Sequence, residues 1–354
     1  MAVATQAQPN TERTTAAPVI GRLYELDLAR FIAAAGVVAF HYLFLGPVVG
    51  VTDDPLTPFA AVAQYGFLGV DFFFILSGFV IMMSASNRSA SSFTRARIVR
   101  IYPIFWVCVP LTAAVGLLNT DVSLARVFAN MTMVPNVFGE SALDGSYWSL
   151  AVELQFYALV AVALRLGALS QIDRVLLGWI SYSALRAVIE TPDVLDRVLL
   201  TAYAHYFVAG AVLYQVHRDR RIDAIRVVTL AAAVTLALSW VGPRVQHLED
   251  QTGHLVSAGV SRALVLLFFA IMATIAWRGL PRLRLPRFAA LGAASYPLYL
   301  LHQEIGFAVF RTWGWSAVSM AVLTGLGMAL AALLLARYVE PRVGAVFRRM
   351  MLSA

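Results

Sequence analysis

Apolar residues along this chain come in long blocks, separated by short polar stretches that carry arginine. The first block follows Arg22, runs through Arg30 and ends near Val49. Others lie near Phe67–Ser84, Ile101–Leu118, Tyr147–Leu166, Val175–Ile189, Val198–Val216, Ala224–Val241, Gly259–Trp277, Phe288–Phe310 and Trp315–Arg337. Each is long enough to carry a helix, at about 1.5 Å per residue, across a hydrocarbon layer of roughly 30 Å. The fifth is the least regular, interrupted by Tyr182, Ser183 and Arg186. The first is too long for the apolar region of a signal peptide and reads as an uncleaved span. The pattern predicts an all-α integral membrane protein of about ten transmembrane helices in one bundle over residues 22–338. Residues 1–21 are rich in Ala, Thr and Pro, have no apolar core and read as a disordered tail. Residues 339–354 read as a short basic tail.

Composition makes the bilayer the solvent. Of 354 residues, 60% are apolar and 13% charged, against about 45–50% (with glycine) and about 25% in an ordinary soluble chain. The mean hydropathy is +0.74. These values exclude a soluble globular domain, a disordered chain and a nucleic-acid-binding module. The net charge of +7 rests on 27 basic residues, every one of them arginine. If the N-terminus is inside, 21 of the 27 fall on one side, in clusters such as Arg88, Arg95, Arg97, Arg100 and Arg218, Arg220, Arg221, Arg226. By the positive-inside rule the expected topology has both termini in the cytoplasm, in the cell membrane. The lone Cys108 cannot form an internal disulfide and reads as a small buried hydrophobe.

Polar groups within hydrocarbon are costly and usually functional. The first span, LDLARFIAAAGVVAFHY, holds Asp27, Arg30 and His41. Arg30 and His41 are eleven residues apart, which puts them within about 20° of one helix face and roughly 16 Å apart. Arg30 reads either as a snorkelling cation or as a ligand-binding one, and His41 either as a satisfied structural histidine or as a working imidazole. In the second span Asp71 lies near the outer end, and Ser77-Gly78 gives either close helix approach or room for a ligand. Arg97 and Arg100 share a face at the cytoplasmic mouth of the third span. They suit a phosphate-bearing ligand, although topology alone also explains them. Glu153, two turns into the fourth span, requires an arginine, a histidine or a ligand hydroxyl opposite it. His302 and Glu304 are embedded in the ninth. His205, in the sixth, has no such company and reads as structural.

Five segments in order, LDLAR…FHY, GVDFFFILSGF, RIVRIYP, YWSLAVELQFY and SYPLYLLH, resemble the membrane-bound acyltransferase-3 family over most of the chain. Where that family usually has Leu-Asp-Gly-Leu-Arg-Gly, this chain has Leu-Asp-Leu-Ala-Arg-Phe, keeping the Asp and Arg. The resemblance implies transfer of an acyl group, often acetyl, from acyl-coenzyme A as co-substrate to a sugar hydroxyl of a glycan, glycolipid or secreted metabolite. It implies no permanently bound cofactor and no metal. His41 would be the catalytic histidine; Arg30, Arg97 and Arg100, with Ser77 and Gly78, would bind the acyl donor. Glu153 would orient His41 or the acceptor. Asp27, Asp71, Trp148, Ser149, Tyr296 and His302 belong to the matching motifs. A transporter or flippase of a lipid-linked sugar is the rival reading; it should show internal repeats and paired helix breaks, and none is visible.

Overall fold

The computed structural model describes residues 22–51, 56–117, 122–189, 192–277, 280, 285–312 and 317–353. The expected tail 1–21 lies outside them. Twelve helices follow in order: α1 Tyr24–Val48, α2 Ala60–Ala85, α3 Ala90–Gly116, α4 Leu124–Asn130, α5 Gly145–Arg165, α6 Ile172–Arg186, α7 Asp193–Val198, α8 Ala204–Asp219, α9 Ala224–Thr252, α10 Ala258–Trp277, α11 Phe288–Thr312 and α12, which runs from Ala317 to Ser353. No strand occurs among the described residues. That is the expected outcome for a chain in lipid, where a helix satisfies its own backbone groups.

Each of the ten predicted blocks falls largely on one helix; the sixth, Val198–Val216, begins at the end of α7, with α8 starting only at Ala204, and the start of the tenth lies outside the described residues. Seven of these helices, α1, α2, α3, α5, α9, α10 and α12, are long and apolar enough to cross a membrane. The other three depart from the expectation for physical reasons. Helices α6 and α8 have only 15 and 16 residues, and α11 carries Ser295, Tyr296, Tyr299, His302, Gln303 and Glu304 along its length. Helix α8 is buried on every side from Ala204 to His217, the behaviour of a helix at the centre of a bundle. Helix α12 does not stop where a tail was expected; it continues through Glu340–Ser353 and packs on α3.

Helix α2 lies between α1 and α8, and α11 lies against α1, α3 and α12. The α2–α8 contact is unusually close. A Cβ at Gly78 would collide with the backbone oxygen of Phe207, and one at Gly210 with that of Ile75. Gly78 is therefore the small residue that lets two helices touch.

Two helices contain a π turn, and each precedes a proline. In α1 it spans His41–Leu45 before Pro47, and in α12 Leu335–Val339 before Pro341. Proline has no N–H and crowds the carbonyl four residues back; a wide turn absorbs that conflict, and such turns recur at functional sites.

Candidate active site

A cavity of about 240 Å³ opens between α1, α2, α3, α5 and α11. Its walls bring together Arg30, Ser77, Arg97, Arg100, Ser149, Glu153 and Tyr296 from five helices, seven of the residues singled out from sequence. The carboxylate of Glu153 accepts from the hydroxyls of Ser77 at 2.5 Å and Tyr157 at 2.6 Å, both on Oε1. Arg97 has a buried Nε with no hydrogen-bond partner among the described residues, and its guanidinium lies over the Phe93 ring, 6.0 Å from the centroid. Three guanidiniums and one carboxylate give the cavity a positive balance. Forked, permanently charged donors of this kind suit phosphate.

Tyr299 also lines the cavity, and its hydroxyl shares a hydrogen bond with that of Ser149 at 2.7 Å. The Tyr299 ring is 5.5 Å from that of His302, which with His41 lies outside the cavity lining; Nδ1 of His41 is 3.1 Å from Nε2 of His302 and the rings are 4.8 Å apart. Their partners determine the tautomers. Nδ1 of His302 is 2.8 Å from the carbonyl oxygen of Tyr299, so it must carry the proton and donate it. Its Nε2 is then an acceptor. Nδ1 of His41 is 2.8 Å from the carbonyl oxygen of Val37, so it too carries a proton, which it directs at Val37 O and at His302 Nε2. What remains is Nε2 of His41, which among the described residues is the one ring nitrogen of the pair with an uncommitted lone pair. A neutral imidazole with a bare nitrogen is equipped to accept a proton.

The surroundings of the pair are rigid. Tyr42 donates to the backbone oxygen of His302 at 2.5 Å, and a Cβ at Gly306 would strike the same phenol. Asp144, fully buried before α5, accepts from the backbone N–H and hydroxyl of Ser146 and from the backbone N–H of Glu304. That last bond ties the start of α5 to α11 two residues past His302.

A second cavity, of about 310 Å³, lies on the far side of the pair and is lined by Thr112, Arg126, Leu143, Glu304 and Arg311. Helices α3 and α11 contribute to both cavities. The first uses Arg97–Ile101 with Gly292–Tyr299, and the second uses Thr112–Gly116 with Glu304–Arg311. The two helices therefore run parallel, and the cavities stack along the bundle axis with the histidines at the level between them.

Some sequence candidates sit elsewhere. Glu153 makes no hydrogen bond to His41 among the described residues; its partners are Ser77 and Tyr157, and the side chain that holds His41 is His302. Gly78 faces α8 and does not line the cavity. Asp27 receives a hydrogen bond from Arg22 at 2.9 Å, which raises that guanidinium above its ordinary pKa, and packs against Gly292. Trp148 packs against Tyr203 and Phe74. Asp71 forms a buried ion pair with Arg244, whose guanidinium also lies over the Phe67 ring. His205 is buried with both ring nitrogens unpartnered among the described residues. Sequence reasoning passed over Asp144, Arg244 and Tyr299. Arg244 had a usable signal, since Asp71 was placed near the outer end of its span and Arg244 follows the seventh span on that same side. Asp144 also had one, an acid two residues before a serine, which is the side-chain-to-backbone turn the structure contains.

Comparison with known proteins shows the family to which the chain belongs. The acyltransferase-3 profile, described as an acyltransferase domain, matches residues 23–337. The exopolysaccharide production protein ExoZ of Rhizobium meliloti (strain 1021) is 25% identical over 281 residues, covering 75% of this chain and 81% of that protein. The acyltransferase MdmB of Streptomyces mycarofaciens is 24% identical over 363 residues, covering 89% of each. No solved structure matches. A profile match across nearly the whole bundle identifies the chain as a member of the acyltransferase-3 family of membrane acyltransferases.

Proposed function

We propose that this protein transfers an acyl group, in the first instance acetyl, from acyl-coenzyme A to a sugar hydroxyl of an envelope glycan, glycolipid or secreted glycosylated metabolite. The observation that carries the reading is the bare Nε2 of His41 placed beside an arginine-lined cavity. Coenzyme A carries several phosphate charges and is made in the cytoplasm. With both termini on that side, Arg97 and Arg100 form the cytoplasmic mouth, and they hold the phosphates while the pantetheine arm passes Arg30 and Glu153 toward Tyr299. A cavity of about 240 Å³ fits the arm and leaves the nucleotide at the mouth. The acceptor enters from the opposite cavity, whose Glu304, Arg126 and Arg311 offer hydrogen bonds to a polyol.

His41 Nε2 takes the proton of the acceptor hydroxyl as its oxygen bonds to the thioester carbonyl carbon. The carbon–sulfur bond then breaks, the thiolate leaves, and the imidazolium returns the proton to sulfur. Every atom is accounted for, and neither a metal nor a redox partner is required. That ExoZ is an exopolysaccharide production protein supports a glycan acceptor, and that MdmB is an acyltransferase supports the transfer. The test is mass spectrometry of envelope glycans and glycolipids from cells with wild-type protein or His41→Ala. An acyl mass present only with wild type identifies both group and acceptor; identical spectra in cells where the wild-type protein is active on acetyl-coenzyme A refute the acceptor class.

A further inference from the structure

At the mouth of the arginine cavity, Arg100 is not free. Its Nη1 donates to Oε1 of Glu340, and the two side chains form an ion pair across 240 positions of sequence. Glu340 opens the last stretch of α12, immediately after the π turn Leu335–Val339. That stretch is fixed against α3 by a second contact, the Phe347 ring lying 5.2 Å from Trp106. The other oxygen of Glu340, Oε2, is buried without a hydrogen-bond partner among the described residues. A buried half-satisfied carboxylate is costly and calls for an explanation. Pinning α12 to α3 does not supply one, because an apolar contact would do the same without that cost.

We infer that Glu340 is a positioning residue of the acyl-donor site, holding the Arg100 guanidinium so that its remaining N–H groups face the cavity. This rests on the donor-site reading proposed above. The side chain of Arg100 is 42% exposed and that of Glu340 19%, so without the carboxylate the long arginine side chain would be loosely held in several rotamers. A guanidinium recognises phosphate through a fixed fork, and that advantage is lost when the fork is not fixed. The opposing effect is that removing a negative charge beside the site increases long-range attraction for the anionic ligand. Solvent and salt screen that attraction at an exposed mouth, with a Debye length of about 8 Å, so orientation dominates. The inference adds to Arg97 and Arg100 a carboxylate from the last helix, one that coenzyme A need never touch.

The experiment measures coenzyme A affinity and melting temperature of the full-length protein in lipid nanodiscs. Glu340→Ala should weaken binding about tenfold, and Glu340→Asp should recover part of it. The exchanged pair Arg100→Glu with Glu340→Arg should restore the melting temperature, since the ion pair is rebuilt, but not coenzyme A binding, since the cation has moved. Unchanged or tighter binding in Glu340→Ala overturns the inference, as does full recovery of binding in the exchanged pair. Arg100→Ala separates the two levels of argument. If it leaves affinity unchanged, the donor-site reading fails and this inference with it. If it weakens binding while Glu340→Ala does not, only the role of Glu340 falls.

Discussion

The lone-pair count in the histidine pair leads to an ordered pair of kinetic effects. His302 has both ring nitrogens committed, one donating to Tyr299 O and the other accepting from His41, whereas His41 keeps Nε2 free. Only His41 can then accept the acceptor's proton. His41→Ala should lower acyl transfer by about two to four powers of ten, the usual worth of a general base, or about 2.7 to 5.4 kcal/mol at 1.36 kcal/mol per decade. His302→Leu removes one of two acceptors for the His41 Nδ1–H. The other, Val37 O at 2.8 Å, keeps the tautomer in place. The loss is then one hydrogen bond, about 1 kcal/mol net, or roughly fivefold in rate. His302→Gln retains an acceptor oxygen and should lie closer to wild type than the leucine variant.

The assay is transfer of labelled acetyl from acetyl-coenzyme A to envelope acceptor in isolated membranes. Coenzyme A affinity and melting temperature are measured on the same samples, so that misfolded variants are recognised. Donor affinity should survive in all three variants, because the arginines line the cavity and the two histidines do not. Acidification should reduce wild-type transfer, because a protonated Nε2 has no lone pair to offer. If His302→Leu lost as much transfer as His41→Ala while remaining folded, the tautomer assignment would be wrong. Near-normal transfer by His41→Ala would end the catalytic reading altogether.

Arg97→Ala with Arg100→Ala should abolish measurable coenzyme A binding, and Arg97→Lys should also weaken it, since an ammonium is a point charge and not a fork; unchanged affinity in the double variant refutes the donor site. Gly78→Ala gains about 1 kcal/mol of helix propensity but meets Phe207 O, and overpacking of about 1–3 kcal/mol or more should win. The control is Gly36→Ala, where nothing lies within 4 Å and thermal unfolding should shift upward if at all. Arg244→Ala leaves the Asp71 carboxylate buried and unpaired, costing about 3–5 kcal/mol, whereas replacing both by apolar residues should restore the folded yield. A reporter active only outside the cytoplasm should stay silent when fused after Ala354; activity there would reverse the proposed topology.

The helices were legible because the bilayer leaves so few alternatives. A long apolar run in lipid must close its own hydrogen bonds, and each of the ten runs falls largely on one helix. Where the boundaries moved, the cause was a feature that hydropathy ignores. Helix α8 is short and fully enclosed, and Glu340, read as part of a tail over 339–354, lies on a continuing helix because Arg100 and Trp106 give that stretch partners on α3.

The site was half legible for a related reason. A polar residue in hydrocarbon announces itself, so Arg30, His41, Glu153 and His302 could each be marked. Their pairing could not, since it is fixed by which helices touch. His41 meets His302 across 261 positions because α1 packs on α11, with Gly292 and Gly306 giving the space. Glu153 points instead to Ser77 because α2 and α5 face each other across the cavity. Helical spacing put Arg30 and His41 on one face, yet the structure gives them different surroundings. Arg30 lines the open cavity, while His41 begins a π turn and lies outside the cavity lining. That separation has a chemical consequence. On the proposed reading, the phosphates would be held at the charged mouth and the base would sit in the hydrogen-bonded layer beyond it. If the acyl group passes Tyr299 before it meets His41, as proposed, water in the mouth would be kept from the thioester carbon and hydrolysis would be disfavoured relative to transfer. The Tyr299 ring, 5.5 Å from His302 on one side and 5.9 Å from Phe73 on the other, is then the part of the site whose removal should raise hydrolysis of acetyl-coenzyme A at the expense of transfer. Tyr299→Ala, assayed for free acetate against acylated acceptor, should shift that ratio toward acetate; a ratio equal to wild type would show that the layer does not exclude water.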